Sequence, residues 1–423
     1  MTSRSHWKPV ALVILLGVVA RIATVILFGG FDHPVLWEYH ELALNLLRHH
    51  EYRVEQLGTT YWIMGPPLYS FLSAGVYGLT GESVRALLAV QLILSSLTPG
   101  LVYYLGLWLG GRRLGLMSGA FTALHPGLVY YVNNLHSLNI DVPLLWGSLL
   151  ACYLWVRRQS LRWAVITGLL VGLTLLARST ILVFLATAPL WAWLGRLPLK
   201  RFLAQWLLIM FISGLVVLPW VVRNRAVSGR WIFIQKTGEV FWRGNNPNAT
   251  GTSFTVSGTR MIDALPPQTR AHLLTLTEME QEDWFREQAR TFVWAHPWRF
   301  LQITGRKLFY FVWFAPQWGM RYSPTATALY KGTYPLLLLG ALGGFLWVGR
   351  FGSPEQRLLT VIVLLFYGSL AVAHAFFYVE GRHRWPVEPL MLTYAWLALT
   401  KGWLWFGRHN RMLGKPHLGA KEG

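Results

Sequence analysis

The chain has 423 residues, of which 54% are hydrophobic and 13% are charged, and its formal net charge is +20. Soluble proteins carry about 25% charged residues, so this composition excludes an ordinary soluble globular domain. The lysines and arginines stand between long apolar segments, so we attribute the basic excess to anionic lipid headgroups and predict no nucleic-acid partner. The single cysteine, Cys152, lies within an apolar segment, which excludes an intramolecular disulfide.

Apolar segments of about 20 residues predict an all-α integral membrane protein, a polytopic bundle of about ten transmembrane helices (roughly 9–13). Arg21 interrupts the first segment and no cleavage site follows it, so we predict a retained helix there. Leu68–Leu79 is apolar but short, and we predict a half-buried or re-entrant element. The predicted spans are 9–28, 86–110, 114–132, 140–156, 163–177, 179–195, 203–222, 333–349, 358–377 and 386–406.

The basic residues between the spans predict the orientation, because cytoplasmic loops of membrane proteins are enriched in lysine and arginine. With both termini in the cytoplasm, the clusters Arg112–Arg113, Arg157–Arg162 and Arg196–Arg201 and the basic tail containing Lys415 all lie inside. If Leu68–Leu79 crossed the membrane, the three clusters would lie outside. We therefore predict a multi-pass protein of the cell (inner or plasma) membrane in this orientation.

Two long polar segments then lie on the outer side of one membrane domain that covers 1–423. The first outer loop is 30–85 and the large outer loop is 223–332. Apolar residues at the helical period, and charged or aromatic residues around them, predict three outer helices. These helices are expected over 38–47, Glu278–Ala295 and Phe300–Phe314, the last one lying in the membrane interface.

Several arginines occur on the outer side, where the charge bias disfavours them. The planar guanidinium group of arginine matches phosphate, so we predict that they bind the phosphate or pyrophosphate of a lipid substrate. In the alternative, each one extends to ordinary headgroups or pairs with a glutamate. The arginines at outer helix ends are Arg178, Arg223, Arg225, Arg382 and Arg384, with Arg230 and Arg243 beside them.

Two acidic residues stand at the start of the first outer helix. Asp32 or Glu38 could act there as the general base toward an acceptor hydroxyl or amine. In the alternative, they only complement the positive N-terminal end of the helix. The nearby His40, His49 and His50 do not have the spacing of a known ligand set, so we predict no metal site.

Eight short motifs, taken in their order along nearly the whole chain, resemble those of the GT-C class of polytopic glycosyltransferases. This superfamily includes the protein O-mannosyltransferases and the lipid A aminoarabinose transferases. The motifs are Glu38-Tyr39, Gly65-Pro66-Pro67-Leu68-Tyr69, His125-Pro126-Gly127, Ala177-Arg178-Ser179-Thr180, Leu218-Pro219-Trp220, Phe241-Trp242-Arg243-Gly244-Asn245-Asn246-Pro247, Ala295-His296-Pro297-Trp298 and Gly381-Arg382-His383-Arg384-Trp385-Pro386.

The resemblance implies a hexosyl or pentosyl transferase with its active site at the outer membrane boundary. The donor would be a sugar on polyprenyl phosphate, the acceptor a lipid, a glycan or a protein, and the transfer a direct displacement with inversion. The first outer loop would supply the base, and Arg178, Arg223 and Arg382–Arg384 would hold the lipid phosphate. No cofactor is implied, and the participation of a divalent metal ion stays open. Further candidates for substrate contact are Tyr39, Tyr69, Asn245 and His383.

The sequence departs from the family pattern at the expected base. The family usually has an aspartate four residues before the tyrosine of the first loop, where this chain has Val35, and a second acidic residue is replaced by Met64 and Gly65. The base is then expected at Glu38 or Asp32. Two other functions remain as alternatives: a transporter or flippase of an anionic lipid-linked substrate, and a non-catalytic relative that acts as a scaffold.

Overall fold

A computed structural model describes residues 6–56, 58–233, 236–316 and 324–413, so the basic tail at Lys415 lies outside the described residues. The first half of the chain forms α1 (Trp7–Leu27), α2 (Glu38–His49), α3 (Leu68–Thr80), α4 (Val84–Ser95), α5 (Leu97–Gly110), α6 (Arg112–Ala123), α7 (Pro126–Tyr130), α8 (Leu138–Arg158), α9 (Leu161–Ala177), α10 (Ile181–Leu185) and α11 (Ala188–Leu194). The second half forms α12 (Leu199–Ser228), α13 (Thr237–Gly244), α14 (Pro267–Leu274), α15 (Glu278–Ala295), α16 (Pro297–Val312), α17 (Pro324–Phe351), α18 (Pro354–Phe376), α19 (Gly381–Arg384) and α20 (Glu388–Leu413).

In the described residues strands are few and short, and they lie between the predicted spans. The described residues contain two two-stranded sheets: β1 (Val35–Leu36) pairs in parallel with β4 (Asn134–Leu135), and β2 (Val54–Gln56) pairs antiparallel with β3 (Thr59–Tyr61). The β1–β4 pair joins the segment that precedes α2 to the segment that precedes α8.

The predicted all-α polytopic membrane fold is confirmed, and each predicted span coincides with helical residues. Some spans are built from two consecutive short helices, such as α4 with α5 and α10 with α11. Within the described residues, six helical segments are long and apolar enough to cross a membrane. These segments are Trp7–Leu27, Val84–Gly110, Leu138–Arg158, Leu199–Ser228, Thr327–Phe351 and Pro354–Phe376.

The helices pack closely where small residues face each other, as is common in membranes. A Cβ atom on Gly106 of α5 would lie 2.8 Å from the Cα atom of Gly115 in α6, so these two helices touch through their backbones. Arg21, buried in α1, donates from Nε to Ser95 Oγ at 2.9 Å, next to the junction of α4 and α5. The arginine thus ties α1 to this junction.

The helices predicted in the polar segments are also present. α2 begins at Glu38 and buries Tyr39, Leu42 and Ala43 on one face, as the helical period predicts. α15 covers the predicted range, Glu278–Ala295, and begins with a capping box in which Thr277 and Glu280 exchange hydrogen bonds. α16 begins a few residues before the predicted start and ends close to the predicted end.

Candidate functional site

A polar cavity of about 610 Å³ lies between the segment around β1, α13 and the segment that follows α18. Its lining contains Glu38 from the start of α2, Lys236 and Arg243 from the two ends of α13, Arg260, and Arg382 from α19. Four cationic side chains and one carboxylate thus line the same cavity. A mostly positive cavity that contains a carboxylate suits a phosphate-bearing substrate whose reaction partner must lose a proton.

The pairing of β1 with β4 places Glu38 at the cavity. Trp37, next in the chain after β1, donates from its indole Nε1 to Asn134 Oδ1 at 3.3 Å. Tyr39, which also lines the cavity, is buried and donates its hydroxyl to Ser137 Oγ at 3.3 Å. Glu38 stands between these two anchored aromatic residues and is half-buried. Its carboxylate makes no hydrogen bond or ion pair with any described residue.

The guanidinium group of Arg382 is held in place by an ion pair and by an aromatic ring. It pairs with Glu380 at 3.0 Å and lies 4.9 Å from the centre of the Trp37 ring. Burial and the nearby Arg382 lower the pKa of His136 well below its usual value, so this cavity-lining imidazole is neutral. His136 therefore offers hydrogen bonds and no charge.

Glu239 holds two cations at the wall formed by α13. Its carboxylate pairs with Arg243 one turn later and with Lys236 Nζ at 3.5 Å. Burial would raise the pKa of Glu239, but Arg243 and Lys236 outweigh it and lower this pKa to about 2. Lys236 Nζ also donates to Gln56 Oε1 at 2.5 Å. Both cations are thus oriented along the cavity wall before any ligand binds.

Of the sequence-predicted candidates, the structure brings Glu38, Tyr39 and Arg382 together in this cavity. Asp32 lies elsewhere: it is exposed and pairs with Arg85 at 2.8 Å. Arg225 is exposed as well, with its guanidinium group 6.0 Å from the centre of the Trp231 ring.

Arg223 and Arg384 are committed to structural contacts. Arg223 donates to the carbonyl oxygens of Trp62 at 2.5 Å and of Tyr52 at 3.1 Å, so it holds the segment that contains β2 and β3. Arg384 is buried and pairs with Glu388 at 2.5 Å. Neither of them lines the cavity.

The Arg384–Glu388 pair belongs to a buried network that joins distant motifs. Glu388 also lies 2.6 Å from His125 Nε2 and accepts a hydrogen bond from the Tyr330 hydroxyl at 2.5 Å. The histidine motif before α7 and the arginine motif of α19 thus meet at one carboxylate at the start of α20. This network anchors the segment that carries Arg382.

Arg178 and His383 lie outside the cavity lining. Arg178 Nη1 lies 3.5 Å from Asp141 Oδ2, and Asp141 in turn accepts a hydrogen bond from Ser137, the residue that accepts from the Tyr39 hydroxyl. The ring of His383 stacks on that of another buried histidine, and burial lowers the pKa of His383 well below its usual value. Neither side chain lines the cavity, but Arg178 contacts the cavity residue Tyr39 indirectly, through Asp141 and Ser137.

Tyr69 and Asn245 are buried and are bonded within the protein. The Tyr69 hydroxyl donates to Gln91 Oε1 at 2.5 Å. Asn245 follows α13 and donates to the carbonyl oxygen of Phe376 at 3.0 Å, while its own Oδ1 accepts from Lys307 Nζ at 2.8 Å. Asn245 therefore fixes the end of α13 against the end of α18.

Lys307 leads to a prediction about pH. The ammonium group is buried and pairs with no carboxylate among the described residues, and burial lowers its pKa to about 7 from a usual value of 10.5. Between these two pH values the unfolded chain holds a proton that the folded protein releases, so stability is expected to rise with pH in this window. Thermal unfolding from pH 7 to 10 measures the rise.

The Lys307→Met variant should be more stable than wild type at pH 7 and should lack this rise. Arg306→Gln, a change at the exposed neighbouring residue, should leave the rise intact. A Lys307→Met variant that keeps the wild-type slope would show that the lysine is not the group that titrates.

Sequence reasoning missed Lys236 and Arg260, and it counted Arg243 only as a neighbour of the predicted arginines. A signal for two of them is present in the sequence. Lys236, Val240 and Arg243 follow the i, i+4, i+7 spacing of one helix face, and all three line the cavity. Arg260 belongs to an irregular segment and has no such pattern.

Comparison with known proteins bears on the fold and on the family resemblance. Residues 64–222 match the family model described as dolichyl-phosphate-mannose-protein mannosyltransferase. The resemblance to the GT-C glycosyltransferases is confirmed. The matched segment of this GT-C fold includes the cavity rim at Met64–Pro66 and the candidates Tyr69 and Arg178, whereas Glu38 and Arg382 lie outside it. A sequence comparison with curated proteins finds no match.

Solved structures show the same GT-C fold at low sequence identity. Archaeal oligosaccharyltransferase AglB from Archaeoglobus fulgidus, in complex with an inhibitory peptide and a dolichol-phosphate, is 12% identical with a TM-score of 0.57. ArnT from Cupriavidus metallidurans, bound to undecaprenyl phosphate, is 12% identical with a TM-score of 0.55. The alignments cover 100% and 96% of this chain, which spans only 53% of the AglB chain and 63% of the ArnT chain.

Proposed function

We propose that this protein is a membrane glycosyltransferase that moves a sugar from a polyprenyl-phosphate-linked donor to an acceptor on the extracytoplasmic face of the cell membrane. The observation that carries the proposal is the cavity in which the Glu38 carboxylate, free of protein partners among the described residues, faces cationic side chains held in place by ion pairs. The matched family model and the lipid phosphates in the AglB and ArnT structures support this reading.

The proposed reaction is a single displacement at the anomeric carbon of the donor. The Glu38 carboxylate takes the proton of the acceptor hydroxyl or amine as its oxygen or nitrogen bonds to the anomeric carbon. The bond from that carbon to the phosphate oxygen breaks, and polyprenyl phosphate leaves with the electron pair. Arg382, Lys236 and Arg243 stabilise the negative charge that develops on the leaving phosphate.

Inversion follows from the number of carboxylates in the cavity. A retaining double displacement needs a nucleophile in addition to the acid–base group, usually a second carboxylate close to the first. Glu38 is the only carboxylate that lines the described cavity. We therefore propose inversion of the anomeric configuration.

The proposed orientation rests on the basic residues between the spans. It places both termini in the cytoplasm, and 30–85 and 223–332 together on the outer side. The cavity is lined by residues of both segments, including Glu38 and Lys236. Their shared cavity supports a location of both segments on one side of the membrane, and the choice of the outer side rests on the basic residues alone.

Binding of polyprenyl phosphate tests the role of the cationic side chains that line the cavity. Charge-assisted hydrogen bonds contribute about 1.5–3 kcal/mol each, so Arg382→Gln and Lys236→Gln should each weaken binding of polyprenyl phosphate by about 10–100-fold. Titration of the purified protein with polyprenyl phosphate measures this affinity. Arg225→Gln, which removes an exposed arginine outside the cavity, is the matched control and should bind like wild type.

Transfer itself is tested with purified protein, radiolabelled polyprenyl-phosphate sugars and membranes as the source of acceptor. Wild type is expected to release polyprenyl phosphate and to move the labelled sugar to an acceptor. Movement of the intact donor across the bilayer without transfer would identify a flippase instead. Binding of donors with neither activity would identify a non-catalytic relative.

A further inference from the structure

A second cavity, an apolar cleft of about 490 Å³, lies on the other side of α13. α13, the end of α18 and the corner between α15 and α16 enclose it. The cleft is lined mainly by apolar side chains, and its two charged residues, Arg286 and Arg290, are both basic. Its apolar side chains are those of Phe241, Val293, Trp294, Phe300, Phe376 and Phe377.

The cleft and the polar cavity share one thin wall. Along α13, Lys236 and Arg243 line the polar cavity, whereas Thr237 and Phe241 line the cleft. After α18 the chain continues the same division, since Phe377 lines the cleft and Tyr378 lines the polar cavity. Consecutive residues, Lys236–Thr237 and Phe377–Tyr378, thus face the two cavities from the two sides of one wall.

Exposed aromatic residues place the mouth of the cleft in the membrane interface. Trp294 is 79% exposed and Trp298 is 72% exposed, and tryptophan on membrane proteins concentrates at the headgroup level. Phe376, the last residue of a segment long enough to cross the membrane, is also exposed beside them. An apolar chain from the lipid phase can therefore reach the cleft without crossing water.

The charge around the mouth selects the headgroup. Residues 288–312, which include Arg290 of the cleft lining, contain no aspartate or glutamate. Arg286 and Arg290 have acidic neighbours within α15 but remain more than half exposed, so their donors stay accessible from the mouth. Basic side chains at a membrane surface attract anionic headgroups by about 1 kcal/mol each.

We infer that this cleft binds the hydrophobic chain of an anionic amphiphile drawn from the membrane, and that the acceptor of the transfer is a lipid of this class. The second part rests on the glycosyltransferase function proposed above. The chain occupies the cleft beside Val293 and the stacked rings of Phe241 and Phe376, and Arg286 and Arg290 contact the headgroup. The start of α13, where Thr237 of the cleft directly follows Lys236 of the polar cavity, is where the headgroup reaches the donor.

Photolabelling tests the site independently of transfer. The full chain, reconstituted in phosphatidylcholine vesicles, is irradiated with a phosphatidylglycerol or a phosphatidylcholine that carries a diazirine in its acyl chain. Mass spectrometry then maps the labelled peptides. The anionic probe should label peptides of α13, α15 and the end of α18, and Arg286→Gln and Arg290→Gln should each reduce this labelling about fivefold.

Two further variants separate the cleft from ordinary boundary lipid. Val293→Trp fills the cleft and should remove its labelling, whereas Val312→Trp, an exposed site on α16 outside the cleft, should not. Arg306→Gln is the matched control for the charge changes. Equal labelling by the two probes, or labelling of the cleft that survives Val293→Trp, would overturn the site. Thermal unfolding confirms that Val293→Trp is folded, and the two arginine variants test the site without filling the cleft.

The acceptor class is tested in the transfer assay by chromatography of the products. Wild type should move label from the donor into a new lipid band, and Val293→Trp should lower that band at least as strongly as it lowers labelling of the cleft. Label recovered on protein would overturn the acceptor class. Specific labelling of the cleft without transfer from any donor would leave the binding site in place and contradict the proposed function instead.

Discussion

Glu38→Gln is expected to lower the rate of sugar transfer by about 10²–10⁴-fold, the usual contribution of a general base. The amide keeps the size of the side chain but cannot act as a base toward the hydroxyl or amine of the sugar acceptor. The carboxylate has no protein partner among the described residues, so the substitution breaks no structural contact. Single-turnover transfer with a radiolabelled donor measures the effect.

The matched control is Asp32→Asn, a carboxylate-to-amide change six residues earlier in the same segment. Asp32 is exposed and pairs with Arg85 outside the cavity, so transfer should stay at the wild-type rate. Glu38→Gln should also bind polyprenyl phosphate as tightly as wild type, since the phosphate contacts are cationic. A fully active Glu38→Gln, or a loss of activity in Asp32→Asn, would contradict the assignment of the base.

Glu388→Gln should destabilise the protein by about 3–5 kcal/mol, the usual cost of removing one partner of a buried ion pair. The change leaves the buried guanidinium group of Arg384 without its charged partner and weakens the contacts of His125 and Tyr330 with the same carboxylate. Thermal unfolding in detergent measures the loss as a lower midpoint.

A double variant separates the charge effect from packing. Arg384→Met combined with Glu388→Leu removes both charges, so it should recover much of the stability that Glu388→Gln loses. Glu355→Gln is a control, because Glu355 forms an exposed pair with Arg157. Exposed pairs contribute about 0–1 kcal/mol, and the midpoint should barely move. Equal losses for Glu355→Gln and Glu388→Gln would contradict the role of the buried network.

The sequence predicts the fold well because the bilayer imposes strong local rules. Apolar segments of sufficient length mark the spans, and the helical period marks α2 and α15 at the residues where they begin. The break at Ser96 between α4 and α5 also has a local cause, because Pro99 has no backbone N–H and its ring clashes with the carbonyl group of residue 95 in a continuous helix.

The candidate site is predicted less completely, because the type and position of an arginine do not reveal its partner. Arg382 reaches the cavity, whereas Arg223 is occupied by two backbone carbonyl oxygens and Arg384 by a carboxylate one turn away. These partners come from distant parts of the chain. The cavity also depends on the parallel pairing of β1 with β4, two-residue strands that leave no periodic pattern in the sequence.

Lys236 is the opposite case, a residue that lines the cavity but was not predicted from the sequence. It precedes the Phe241–Pro247 motif, but its place at the cavity depends on the side chains of Glu239 and Gln56. Its backbone also adopts a left-handed conformation with φ of +66°, which is uncommon for a residue other than glycine. Neither property can be read from the residue type.

The anomeric configuration of the product tests the proposed reaction most directly. A donor of defined configuration is incubated with the reconstituted protein and its membrane acceptor, and the product linkage is determined by NMR. In the proposed reaction the acceptor displaces the phosphate directly at the anomeric carbon, with one carboxylate as the base. The product should therefore have the opposite configuration to the donor, and one polyprenyl phosphate should be released for each sugar transferred. Retention of configuration, or donor that stays intact while it crosses the bilayer, would contradict the account.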